Sequence, residues 1–93
     1  MKDRIYSIKP GYLVENVAGQ YILLAPAVGD IDYTKMMVLS ESAALIVNTL
    51  IARSSTLGEM LQSLLQEYEV DEETARKELL SLLAQLEQLK ILL

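Results

Sequence analysis

The spacing of apolar residues changes period once along the chain. Before about residue 40 they fall in short β-favouring runs; after it they recur at intervals of three and four. Tyr12 to Val17 and Gln20 to Ala25 are two such runs, joined by Ala18-Gly19, where glycine can supply a positive φ, and they predict an antiparallel hairpin. The second run, Tyr21-Ile22-Leu23-Leu24, is apolar on both pleat faces, as suits a central strand. Met36 to Leu39 reads as a third strand that ends at Ser40, a preferred helix N-cap, followed by Glu41, whose carboxylate suits the helix dipole.

Three helices follow. Ala43, Ile46, Val47 and Leu50 share one face of a helix from Glu41 to about Ala52, and Arg53-Ser54-Ser55 ends it. Thr56-Leu57-Gly58-Glu59 is a capping box opening a helix through Tyr68, with Leu57, Met60, Leu61, Leu64 and Tyr68 inward. Asp71-Glu72-Glu73 starts the longest helix, about Glu72 to Leu89, whose core stripe is Ala75, Leu79, Leu82, Leu83, Leu86 and Leu89. Arg76, Leu80 and Glu87 lie along one flank of that stripe. The expected fold is α+β and winged-helix-like: a three-stranded antiparallel sheet over residues 12–39, a three-helix unit over 40–93, and a groove where they meet.

Residues 1–11 read as a polar lead-in closed by the Lys9-Pro10-Gly11 turn, and Pro26 to Tyr33 as a loop. Asp30 and Asp32 superficially resemble a metal motif, but the reading favoured for them is a solvated turn in which Asp side chains bond their own backbone. With 93 residues and 52% apolar content the chain can bury one core, so residues 1–93 are expected to form one domain. No stretch has the ~18 uncharged apolar residues of a membrane span, and no signal-type run follows Met1-Lys2-Asp3-Arg4, so a cytoplasmic protein is expected. Cysteine and histidine are both absent, which removes thiolate nucleophiles, imidazole bases and the usual zinc ligands. No catalytic residue, metal ligand or cofactor is assigned.

Net charge is −5 and the helical part carries most of it: residues 1–30 are balanced, whereas 31–70 hold five acids against two bases and 71–93 five against three. Phosphate backbones call for clustered lysine and arginine, so nucleic acid is not an expected partner.

Several segments, taken in order, resemble the PqqD family, the small peptide-binding chaperones of pyrroloquinoline quinone biosynthesis. They are Lys9-Pro10-Gly11-Tyr12, then Val38-Leu39-Ser40-Glu41-Ser42-Ala43-Ala44-Leu45-Ile46, then Thr56-Leu57-Gly58-Glu59-Met60-Leu61 with Glu67-Tyr68-Glu69-Val70-Asp71, and the leucines from Leu79 to Leu92. Departures are Ser40 where the family commonly has asparagine, Val47 where it has tryptophan, and Lys90 where it usually has glycine nearby.

The resemblance implies a non-catalytic adaptor. The leader segment of a ribosomally made precursor peptide would add as a strand to the third strand and be presented to a separate modifying enzyme, in the founding family a radical S-adenosylmethionine enzyme. Carried over by position, strand addition falls on Lys35, Met36, Met37 and Val38, and the groove on Arg76, Leu80 and Leu83. Two other readings stay open. One is a structural module that homodimerises through its edge strand or its Ile91-Leu92-Leu93 tail; the other is a winged-helix transcriptional regulator, which the acidic first turn of the last helix opposes.

Overall fold

The computed structural model describes residues 4–25 and 37–93. Lys35, Met36 and the Asp30/Asp32 pair lie outside them. Strands β1 (Ile5–Tyr6), β2 (Leu13–Val17), β3 (Gln20–Leu24) and β4 (Met37–Leu39) precede helix α1 (Glu41–Ala52). Strand β5 (Ser55–Thr56) and helices α2 (Leu57–Glu67) and α3 (Glu72–Gln88) follow.

The main sheet is antiparallel in the order β2-β3-β4. Its hairpin turns at Ala18 and Gly19, both at positive φ, the geometry whose twist matches that of the strands it joins. Register places Val14 and Met37 opposite Leu23, and Leu39 opposite Tyr21, so these residues share the face that packs on α1. Leu23 is fully buried there. Val38, opposite Ile22, faces the other way and is 62% exposed. The fold is the expected α+β, winged-helix-like arrangement of a three-stranded antiparallel sheet and three helices.

Each helix start carries the expected cap. The hydroxyls of Ser40 and Thr56 accept the Ala43 and Glu59 amides at 3.1 and 3.2 Å, and the Asp71 carboxylate accepts from Thr74. Glu59 accepts in turn from the Thr56 amide at 2.9 Å, which completes the capping box. Ile46, Val47, Leu50, Met60, Leu64, Leu79, Leu83 and Leu86 join Leu23 and Leu39 in one apolar cluster.

The two chain ends differ from expectation. The described part of the lead-in belongs to the fold: β1 pairs with β5, Ile8 is buried, and Ile8 bridges to Leu92. The Lys9 amide donates to the Ile91 carbonyl and the Leu93 amide to the Ser7 carbonyl, each at 2.9 Å. Strands two residues long leave no periodic trace, so this seam is invisible in the apolar spacing. Leu89, assigned to the core stripe, is the α3 C-cap and is exposed; Ile91 and Leu92 are buried past the turn. That turn is a Schellman motif, with the Ile91 amide donating to the Leu86 carbonyl and the Lys90 amide to that of Glu87. Lys90 holds φ 60°, a conformation that costs an L-residue about 1 kcal/mol or more.

Lys90→Gly is therefore expected to raise unfolding free energy by roughly 0.5–1 kcal/mol; a lower midpoint in urea would count against this account of the turn. Hydrogen bonds from Thr56 hold the Glu59 carboxyl below its ordinary pKa, and those from Thr74 do the same for Asp71. Depressed folded-state values contribute stability above the unfolded pKa that is lost as pH falls through the folded one. Thermal midpoints should accordingly drop on acidification below the usual carboxylate range, and less so in Glu59→Gln.

Candidate functional site

Among the described residues strand β4 pairs on one side only, with β3, so that its other edge presents backbone N–H and C=O groups that none of them pairs. Beside that edge lies a groove of about 460 Å³. It exists because β4 packs on β3 and α1 whereas α3 packs on α2, leaving a gap between strand and helix. Its floor is apolar: Leu39, Ile46, Leu64, Leu79 and Leu82, all buried, with the small side chain of Ala43. Met37 and Val38 form one wall, and Lys77, Glu78, Ser81 and Gln85 of α3 the other. Ser40 and Ser42, whose hydroxyls are 3.3 Å apart, close the end where the strand becomes the helix.

Of the residues expected at this site, Met37 and Val38 are brought to the groove. Met37 packs partly against the core and Val38 is exposed on the opposite pleat face. Arg76, Leu80 and Leu83 are not on its helical wall. Leu83 is 4% exposed and belongs to the core. Leu80 is 46% exposed on the flank of α3 turned away from β4, and Arg76, on that same flank, is held at 3.1 Å by Glu72 one turn before it. At 100° per residue, Glu78, Ser81 and Gln85 fall on the opposite side of the leucine stripe from Arg76, Leu80 and Glu87, with Lys77 on the back of the helix. An amphipathic pattern locates the stripe but treats its two flanks alike, and it does not say which of them borders the groove. The available signal was the run of small and polar residues: Ser42, Ala43 and Ser81 leave room where two elements approach.

The charges at the groove are weakly engaged. Lys77 stands 3.7 Å from Glu73 with both side chains more than three-quarters exposed, the kind of pair worth about 0–1 kcal/mol. Among the described residues, no group of His, Cys, Asp and Glu could hold a metal ion. No helix among them is long and apolar enough to cross a membrane.

The family of coenzyme PQQ synthesis protein D (PqqD) matches residues 20–92, well over half of the chain. The chain belongs to the PqqD family. No curated protein matches it. Two solved structures are similar to this PqqD-family chain. One, a lasso peptide synthetase B1 complexed with the leader peptide, is 25% identical with a TM-score of 0.68, over 95% of this chain and 96% of that one. The other, TbiB1 in complex with the TbiA(beta) leader peptide, is 19% identical with a TM-score of 0.70, over 92% and 93%, and its likeness is one of fold.

The placement of α3 has a direct check. Leu83→Ala should cost about 2–5 kcal/mol in chemical denaturation, whereas Leu80→Ala and Arg76→Ala should each stay within about 1 kcal/mol of wild type. Comparable losses at Leu80 and Leu83 would mean that the helix is rotated from the orientation described.

Proposed function

We propose that the chain is a non-catalytic adaptor that holds the leader segment of a ribosomally made precursor peptide along the free edge of β4. The observation that carries this reading is the juxtaposition of a strand edge, unpaired among the described residues, with an apolar-floored groove. Membership of the PqqD family supports it, as do the leader peptides named with both structural neighbours.

Magnitudes decide how the work is divided. A strand of three residues offers about three main-chain hydrogen bonds at roughly 1 kcal/mol net each, far from the ~8 kcal/mol of a micromolar complex. Each apolar side chain fully buried contributes about 1.5–3 kcal/mol, so two or three leader side chains entering the groove supply the larger share. Backbone pairing sets register and direction; the groove sets affinity and selectivity. Lys35 and Met36, immediately preceding β4 in sequence, would extend the pairing edge, and Lys77, Ser81 and Gln85 would line the helical side in place of Arg76 and Leu80.

Bound in this way, the leader raises the local concentration of the attached core peptide at a separate modifying enzyme, a radical S-adenosylmethionine enzyme if the chain follows the founding family. A dimer through the C-terminal tail has little to use, since Ile91 and Leu92 are buried in this chain's own core and only Leu93 is free. A dimer through β4 would compete with the peptide for one edge.

In an NMR titration with the leader half of a precursor encoded beside this chain, shifts should concentrate on Met37 to Leu39 and on Lys77, Ser81 and Gln85. Val38→Pro should weaken binding by disrupting the strand, and Ser81→Arg by filling the groove. Shifts centred on Arg76 and Leu80 would move the site to the other flank of α3; none at all with a folded, monomeric protein would overturn the adaptor reading.

A further inference from the structure

Past the C-terminal end of β4 the groove continues into a second cavity, of about 290 Å³, with which it shares Ser40, Ser42, Leu64 and Glu78. This second cavity lies where the start of α1, the C-cap of α2 and the first turns of α3 converge, and its remaining walls are Glu41, Tyr68, Val70 and Ala75. Its depth and its rim differ in chemistry. Leu64 and Ala75 are nearly fully buried and, with the half-buried Tyr68, make an apolar interior. Glu41 and Glu78 are exposed, and among the described residues they are the charged members of the lining, with no lysine or arginine beside them. Among the described residues neither carboxylate is engaged in an ion pair. The negative field reaches the phenol of Tyr68: burial first, then the carboxylates of Glu41 and Glu67, raise its pKa above the ordinary tyrosine value.

We propose that this second cavity is a subsite for a basic side chain, lysine or arginine, of the same peptide whose strand segment lies on β4. The inference rests on the leader-binding reading and adds to it a class of residue and a place. Long basic side chains are amphipathic, with an alkyl stem that lies along apolar surface and a charged head that stays hydrated. The cavity presents the matching order, an apolar interior under a carboxylate rim, and Tyr68 in its lining is an aromatic side chain of the kind that attracts cations. An acidic side chain there would meet two like charges. An apolar one would gain burial but leave the rim unused. Selectivity is therefore strongest against acid and moderate for base over neutral. The first groove carries both Lys77 and Glu78 and shows no such bias.

The test is selection from a display library of random peptides long enough to span both cavities, carried out with the wild-type chain and with Glu41→Gln/Glu78→Gln. Wild-type selection should return peptides with an apolar, strand-forming run and a lysine or arginine at a fixed offset from it. The double variant should return the same run without the basic residue. For a selected peptide, replacing that residue with norleucine should weaken binding to the wild type roughly three- to tenfold, and to the double variant hardly at all. Glu72→Gln/Glu73→Gln removes as much charge outside the cavity and should leave the preference intact, which separates a local site from the net charge of the protein. Strand-forming peptides without a basic residue at fixed offset, or a preference that survives the Glu41/Glu78 exchange, would overturn the subsite while leaving the leader-binding reading standing. Recovery of no peptide by the folded wild type would overturn both.

Discussion

Ser40 converts a strand into a helix within one residue, and the site depends on that conversion. Its backbone is extended, with φ −67° and ψ 167°, while its carbonyl already accepts the Ala44 amide and its hydroxyl the Ala43 amide. Leu39 just before it is buried, as are Ala44, Ile46 and Val47 soon after, so both arms of the turn are anchored in the same core. The cap itself is worth only about 1 kcal/mol. Its larger effect is geometric: with strand and helix both fixed, the free edge of β4 is held beside the flank of α3 that carries Glu78, Ser81 and Gln85.

Protein interiors close gaps of this size unless something keeps them open. Here the packing partners are segregated, sheet on α1 and α3 on α2, and the side chains that could bridge the space are small. Ser42, Ala43 and Ser81 sit where a leucine or methionine would reach across. Each added methylene buried there would contribute about 0.8 kcal/mol, so the small residues forgo stability that the fold could have had. The chain ends are treated in the opposite way. The pairing of β1 with β5, the Ile8 to Leu92 bridge and the buried Ile91 tie the two termini to the helices, and none of these residues lines the groove. Stability is concentrated in one part of the molecule and an unfilled surface is kept in another.

What could be read from the residues alone followed the range of the interactions involved. Helix starts are local, four-residue events, and Ser40, Thr56 and Asp71 all cap as their side chains dictate. The hairpin is nearly as local, with Gly19 and the alternation around it setting the register. The seam between residues 7–9 and the C-terminal tail joins segments more than eighty residues apart, and Ile5-Tyr6 is too short to show a period. The side of α3 that faces β4 is also beyond local reach. Rotation about the leucine stripe is decided by how α3 seats on α2, so the stripe itself was legible while the flank that borders the groove was not. Leu89 failed for a related reason: the Schellman turn at Lys90 reverses the chain, and the burial expected of Leu89 passes to Ile91 and Leu92.

An unpaired edge carrying an exposed valine is a hazard, because any extended chain can add to it. Proteins commonly blunt such edges with charge, proline or a bulge. In β4 the described residues are Met37, Val38 and Leu39, all apolar, and the strand ends where Ser40 starts a helix. Its three described residues are too few for their backbone pairing alone to hold a stray strand tightly. Only a chain that also places suitable side chains in the adjoining groove gains enough to stay. Selectivity therefore depends on the groove beside the edge, so that strand edge and open groove work as one device.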